Sequence, residues 1–382
     1  MKLAVIAGEA SGDLHASEVI RELRKLDTRL EAFGIGGDLL AAQGVTLHHH
    51  ASKMGIVGLF NVIRHLGMFR KVFSETVDDL RRSRPDAVLL VDYPDFNLRL
   101  AREASRLGIL VVYYISPQVW AWRPRRVRHI ARYVDHMLVV FPFEEEFYRS
   151  HGVDVTYVGH PLIEQLEGME GPRGLPAKDE IVRIALMPGS RTMEVSALLP
   201  AMLAAVKMMR AERPIESFVV RAPTIDRSLI EGELVRSGMM IDVVDQADGR
   251  SLASSHLALS SSGTATLEAA VIGVPVVVMY RLSKATYFLA KRLVRLPHFS
   301  LINILAGKKV VPELIQDDVN GANIASAARE LLSPDRWAAT RSELQQVRAR
   351  LGGSGASERA ARKLYKLMVE RKQASETAVV LP

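Results

Sequence analysis

Short apolar runs, each followed by a polar loop and then an amphipathic stretch, recur along most of this chain, and that rhythm limits the fold more than any other feature. Lys2–Ala7 reads as a strand, and beyond Asp13 the residues Val19, Ile20, Leu23 and Leu26 fall on one helical face. Ala87–Asp92, Ile109–Ile115 and His136–Val140 read as further strands, with a helix from about Asn97 to Leu107. Strand, loop, helix, strand in this order predicts a parallel sheet covered on both faces. From Glu167 to Pro176, three glycines and two prolines break the pattern and mark a linker. The same grammar then resumes. Arg183–Met187, Ser217–Arg221, His256–Ser260 and Val274–Tyr280 read as strands, and Glu194–Arg210 and Thr264–Ile272 as helices. The expected fold class is therefore α/β, with two Rossmann-like domains facing a central cleft. The expected divisions are a first domain over 1–166, a linker over 167–180, a second domain over 181–350, and a carboxyl-terminal helix with a frayed tail over 351–382.

Composition narrows the chemistry. There is no cysteine, which excludes a disulfide, a thiol nucleophile and a thiolate metal site. No uninterrupted apolar run approaches the roughly 18–20 residues that cross a bilayer, and the first residues lack the basic segment and cleavage site of a secretory leader. The cytoplasmic side is the expected location. Fifty Lys plus Arg against 43 Asp plus Glu leave a formal charge of +7, which suits nucleic acid, an anionic membrane surface or phosphorylated substrates.

Open α/β sheets bind ligands where their strands end, so the loops after the strands carry the argument. Pro188-Gly189-Ser190-Arg191 joins a strand to a helix. Backbone N–H groups at a helix start attract an anion, glycine lets the backbone approach it, and arginine grips phosphate in two places. An ordinary turn with a surface arginine is the alternative. Ser260–Glu268 forms a second such junction, where Ser262, Gly263 and Thr264 open a helix and Glu268 lies about one turn inside. A carboxylate there can accept both hydroxyls of a ribose; otherwise Ser262 or Thr264 caps the helix.

Gly8-Glu9-Ala10-Ser11-Gly12-Asp13 is not a GxGxxG fingerprint, which removes the usual support for hydride transfer. Its acids, Glu9 and Asp13, suit sugar hydroxyls better than a pyrophosphate, with Ser11 or Asp13 as a helix cap the alternative. Asp92-Tyr93-Pro94-Asp95-Phe96-Asn97 ends a strand. A sugar hydroxyl is a weak nucleophile, and a placed carboxylate base assists it. Asp92 is the expected base, with Asp95 structural or orienting and both Asp95 and Asn97 where a helix cap belongs.

Ser116–Arg128 combines Trp120 and Trp122 with Arg123, Arg125, Arg126 and Arg128. Such a segment suits single-stranded nucleic acid or a lipid headgroup surface, where four arginines contribute at most about 4 kcal/mol. Core tryptophans on a solvated helix are the alternative. Met54, Ile56, Val57, Leu59 and Phe60 form a short apolar stretch that would be a lip for acyl chains or a buried helix start. His48-His49-His50 has no acidic partner at ligand spacing and there is no Asp-x-Asp pair, so no metal or other cofactor is expected.

Ala7–Asp13, Val91–Asn97, Ser116–Trp122, Phe141–Glu144, Val158–Pro161, Pro188–Arg191, Ser262–Glu268 and Leu301–Gly307 together resemble the lipid A disaccharide synthase family, in order over nearly the whole chain, through about Gly307. The resemblance implies an inverting, metal-independent glycosyltransferase of the GT-B kind. Its donor would be UDP-2,3-diacylglucosamine, its acceptor 2,3-diacylglucosamine 1-phosphate, and its product the β-1,6-linked disaccharide with UDP released. It implies that the second domain holds UDP through Ser190, Arg191, Gly263, Glu268 and Asn303, while Glu9, Ser11 and Asp92 receive the acceptor. Partners would then be the two sugars and an anionic membrane surface, the chain lying peripherally on the inner membrane with no nucleic acid bound. A UDP-sugar epimerase on the same scaffold, or a different UDP-sugar transferase, is the alternative enzyme, and a basic nucleic-acid module the alternative without catalysis.

Overall fold

The computed structural model describes residues 1–53, 62–122, 126–245, 249–282, 287 and 297–380. They gather into two compact units, one of Met1–Pro161 with Gly353–Pro382 and one of Leu162–Gly352.

The first unit holds seven strands, β1 (Lys2–Ala7), β2 (Glu31–Gly36), β3 (Thr46–His50), β4 (Ala87–Val91), β5 (Leu110–Tyr114), β6 (His136–Val139) and β7 (Val155–Tyr157). All run parallel, in the order β3-β2-β1-β4-β5-β6-β7. Leu3–Ala7 and Ala87–Val91 are almost wholly buried, as strands covered on both faces must be. β2 presses close to β1: a Cβ on Gly34 would lie 2.0 Å from the Val5 carbonyl oxygen, and Gly34 has φ +145°. Only glycine fits there.

The second unit repeats the scheme with β8 (Val182–Met187), β9 (Ile215–Arg221), β10 (Asp242–Asp245), β11 (Leu257–Ser261), β12 (Val276–Tyr280) and β13 (Glu313–Ile315). Its order is β10-β9-β8-β11-β12-β13, again all parallel. Each sheet therefore reverses its winding beside its first strand, at β1/β4 and at β8/β11. Ligands of doubly wound sheets bind at such switch points.

Helix Thr192–Arg210 is, at 19 residues, long and apolar enough to cross a membrane by length and composition, although its residues are not an uninterrupted apolar run. Val195, Leu198, Leu199, Met202, Leu203, Val206 and Met209 put one face of it into the core of the second unit. Helix Ala356–Val380 returns to the first unit and packs on helix Ala10–Leu26, burying Ala360, Ala361, Leu364 and Met368.

The three histidines form β3 rather than a loop, and each finds an acid the sequence spacing did not reveal. His48 meets Asp79 at 2.6 Å, His49 meets Glu75 at 3.4 Å and His50 meets Asp38 at 3.3 Å. Among the described residues, no group of three or more His, Cys, Asp or Glu side chains could hold a metal ion.

Candidate active site

In the first unit, β1 and β4 end side by side, with Ala7 paired to Val91. The chain then turns sharply, because Asp92 (φ +46°) and Tyr93 (φ +48°) are both left-handed. Ile115, just past β5, is left-handed too (φ +60°). Each such residue costs about 1–3 kcal/mol and persists only where its surroundings impose it. For Asp92 the surroundings are visible. Its N–H donates to the Tyr114 carbonyl at 3.1 Å, while its own carbonyl accepts from Asn97 Nδ2 at 2.7 Å and the Tyr113 hydroxyl at 2.5 Å. The Tyr93 ring lies against Gly8, where a Cβ would come within 2.4 Å of it.

The strained turn leaves Asp92 half-buried. Desolvation, and then the charge of Glu9, push its carboxyl up to about 6. Glu9, the N-cap of helix Ala10–Leu26 without a side-chain capping bond, and Ser11 in its first turn are both exposed, so the cap is neither Ser11 nor Asp13. Asp13 is different. It is 5% exposed, and its carboxylate accepts the N–H groups of Gly37, Leu39 and Leu40 at 2.7–3.1 Å. It locks the loop after β2, and the acceptor-binding role expected for it is withdrawn.

Asp95 lies 74% exposed and ion-paired with Arg126. The cap of helix Pro94–Arg106 is Tyr93, not Asp95 or Asn97, and Asn97 folds back wholly buried onto the end of β4. Of the two aspartates, Asp92 is the half-buried one and Asp95 the exposed one.

Trp120 does not face outward as a membrane-surface residue would. Its indole N–H donates to Glu144 at 3.2 Å, and its ring meets Phe143 edge-on at 4.8 Å. Arg126 is engaged by Asp95, and Arg128 is exposed on helix Arg126–Tyr133. Met54, Ile56, Val57, Leu59, Phe60, Arg123 and Arg125 lie outside the described residues, as does the side chain of Trp122.

In the second unit, β8 leads into Pro188-Gly189-Ser190-Arg191, and Arg191 is the uncapped N-cap of helix Thr192–Arg210. Ser190 and Arg191 are exposed. The Thr224 hydroxyl fixes the loop through the Ser190 carbonyl at 2.7 Å. Glu194, noticed in the sequence only as a helix start, bonds both the Ser190 N–H and the Arg191 guanidinium. Tyr280, at the end of β12, is close enough that Glu194 and Arg191 act on its phenol; burial mainly raises it.

The neighbouring strand β11 ends at Ser261, and Gly263 is the N-cap of helix Thr264–Ile272. Glycine carries no capping side chain, so the capping role considered for Ser262 or Thr264 is not the one observed. Gly263 and Thr264 are exposed, while Ser262 and Glu268 are half-buried. Asn303 is fully buried; its Oδ1 accepts from Val310 N–H at 2.8 Å and Val311 N–H at 3.0 Å, and its Nδ2 donates to the Val311 carbonyl at 3.0 Å. Its amide staples the loop before β13, and the donor-binding role expected for it is withdrawn.

Two Rossmann-like units with charged loops at both switch points define the class that contains GT-B glycosyltransferases and nucleotide-sugar epimerases. A solved structure of UDP-GlcNAc 2-epimerase from Neisseria meningitidis bound to UDP-GlcNAc is similar in fold, with a TM-score of 0.62 and 14% identity over 96% of this chain and 100% of that one. Sequence comparison goes further. The family model described as lipid-A-disaccharide synthetase matches residues 3–366. The lipid-A-disaccharide synthase of Geobacter metallireducens is 42% identical, covering 94% of this chain and 95% of the relative. That of Myxococcus xanthus is 41% identical, covering 96% and 97%. The chain belongs to the lipid-A-disaccharide synthetase family.

Proposed function

We propose that the chain joins UDP-2,3-diacylglucosamine to 2,3-diacylglucosamine 1-phosphate, forming the β-1,6-linked disaccharide 1-phosphate and releasing UDP. The observation that carries this is the family match, which runs from residue 3 to residue 366 and so takes in the loops at both switch points. Family membership favours transfer over the epimerisation catalysed by proteins of similar fold.

Asp92 takes the proton from the acceptor's 6-hydroxyl as that oxygen attacks the donor's anomeric carbon. A carboxyl raised to about 6 is a stronger base than an ordinary one yet remains ionised at neutral pH. Glu9 and Ser11 bind the acceptor's polar groups. The anomeric carbon passes through an oxocarbenium-like state while charge grows on the departing diphosphate. Ser190, Arg191 and the start of helix Thr264–Ile272 offset that charge, with Gly189 and Gly263 allowing close approach. Ser262, Thr264 and Glu268 hold the rest of the nucleotide. The acylated substrates and the formal charge of +7 support peripheral attachment to an anionic membrane surface from the cytoplasmic side, with no nucleic acid as partner.

The test is turnover with both acylated sugars, the product being identified as disaccharide and not as an epimer. Asp92→Asn should lower kcat by about 10²–10⁴, and wild type should show an acid limb near pH 6, below which the base is protonated. Asp95→Asn should stay within a few-fold of wild type. Near-normal turnover by Asp92→Asn rejects the base.

A further inference from the structure

The carboxylate of Glu194 sits among the donors that the loop after β8 offers to an anion. Its Oε2 accepts the Ser190 N–H at 3.2 Å, and its Oε1 accepts from the Arg191 guanidinium at 2.8 Å. Glu194 is 15% exposed and Arg191 is 76% exposed, so the acid is tucked in and the arginine reaches it from the solvent side. Gly189 reports the same tuck. It has φ +119°, and a Cβ there would meet Glu194 Oε2 at 2.4 Å and Glu194 Cβ at 2.8 Å. The loop is shaped around an anion of its own.

We propose that Glu194 is an internal competitor of the nucleotide's diphosphate, holding the Ser190 N–H and the Arg191 guanidinium until the diphosphate displaces it. This rests on the assignment of Gly189–Arg191 as the diphosphate loop. Both acceptors are oxyanions seeking the same donors, and like charges cannot share them closely without repulsion. The Glu194–Arg191 pair lies partly in solvent, where such pairs are weak, so the competition costs the nucleotide a few-fold in affinity and not many orders. The consequence falls on the product. UDP retains both phosphates after transfer, and a carboxylate ready to retake their donors speeds its departure, a step that limits turnover in many enzymes.

A brace that merely aims Arg191 at the phosphate would have the opposite sign, which makes the two roles separable. Titration calorimetry on the full chain with UDP and with uridine gives a ratio of dissociation constants for wild type, Glu194→Gln and Glu194→Ala. Relative to uridine, UDP should bind on the order of three- to tenfold more tightly in the variants. Absence of that gain in both variants, or a loss in its place, overturns the competitor role. Arg191→Ala distinguishes this from failure of the loop assignment. If that variant keeps wild-type UDP affinity, the loop assignment fails. If it weakens UDP while neither Glu194 variant tightens it, only the competitor role fails.

Discussion

Asp92, the proposed base, is held in a conformation it would not adopt alone. Two successive left-handed residues end β4, and the Asn97 and Tyr113 side chains both clasp the Asp92 carbonyl. Asn97→Ala removes the donor to the Val91 carbonyl and leaves the Asp92 carbonyl held by the Tyr113 hydroxyl alone, at a cost of about 1–3 kcal/mol. Because the lost contact aims the proposed base, kcat should fall at least tenfold while the donor's KM stays close to wild type. Steady-state kinetics beside a thermal melt checks this; a stability loss with unchanged kcat makes Asn97 purely structural. At this scale the sequence was partly legible. Asp92 was favoured over Asp95 as the proposed base because it leaves the strand directly. Asn97 looked like a helix cap, since a side chain folding back to a preceding strand has no local signature. Asp13 and Asn303 misled for a related reason: a polar residue in the first turn of a helix looks the same whether it meets a ligand or buried backbone.

Among the elements, the segment after β5 is tied to the helix after β6. Glu144 is 1% exposed, and besides the Trp120 indole it accepts the Phe141 N–H at 3.2 Å, while Ser116 bonds the Tyr148 hydroxyl at 2.6 Å. Burial, opposed by these hydrogen bonds, raises the Glu144 carboxyl from 4.5 to about 7. The folded chain therefore holds this proton more tightly than the unfolded one. Stability from the group is full below about pH 4.5 and is lost as pH rises through 7. Glu144→Gln turns an amide NH2 toward one of two N–H donors and should destabilise by about 1–3 kcal/mol at pH 5. Its melting-temperature deficit against wild type should shrink by pH 8, where the wild type carries a buried charge. A deficit equal at both pH values contradicts the shift. The strands that the apolar runs foretold are the central ones, β1, β4, β5, β6, β8, β9, β11 and β12. Those not foretold have weak patterns: β2 is interrupted by glycines, β3 is Thr-Leu-His-His-His, and β7, β10 and β13 have three or four residues each. A strand at or near a sheet's edge needs fewer apolar residues, so its sequence says less.

For the molecule as a whole, the consequential feature is that the first unit uses both ends of the sequence while the second is continuous. Helix Ala356–Val380 covers helix Ala10–Leu26, and Arg359 donates to the Val158 carbonyl at 2.7 Å. A chain ending at Gly352 loses the burial of Leu364 and Met368, each worth about 1.5–3 kcal/mol, as well as that of the alanines. Against a typical stability of 5–15 kcal/mol this is a large loss. Hydrogen exchange should show β1 and β4 amides losing protection while β8 and β11 keep theirs; equal protection in both sheets would contradict the packing. The doubled architecture was readable because each sheet repeats its own rhythm. The destination of the last helix was not, since an amphipathic segment does not say which sheet it will join. During translation, then, residues 162–352 can reach their final contacts before the unit begun earlier can do so. The half proposed to handle the nucleotide can then be finished first, and the half that bears Asp92 waits for helix Ala356–Val380 to emerge.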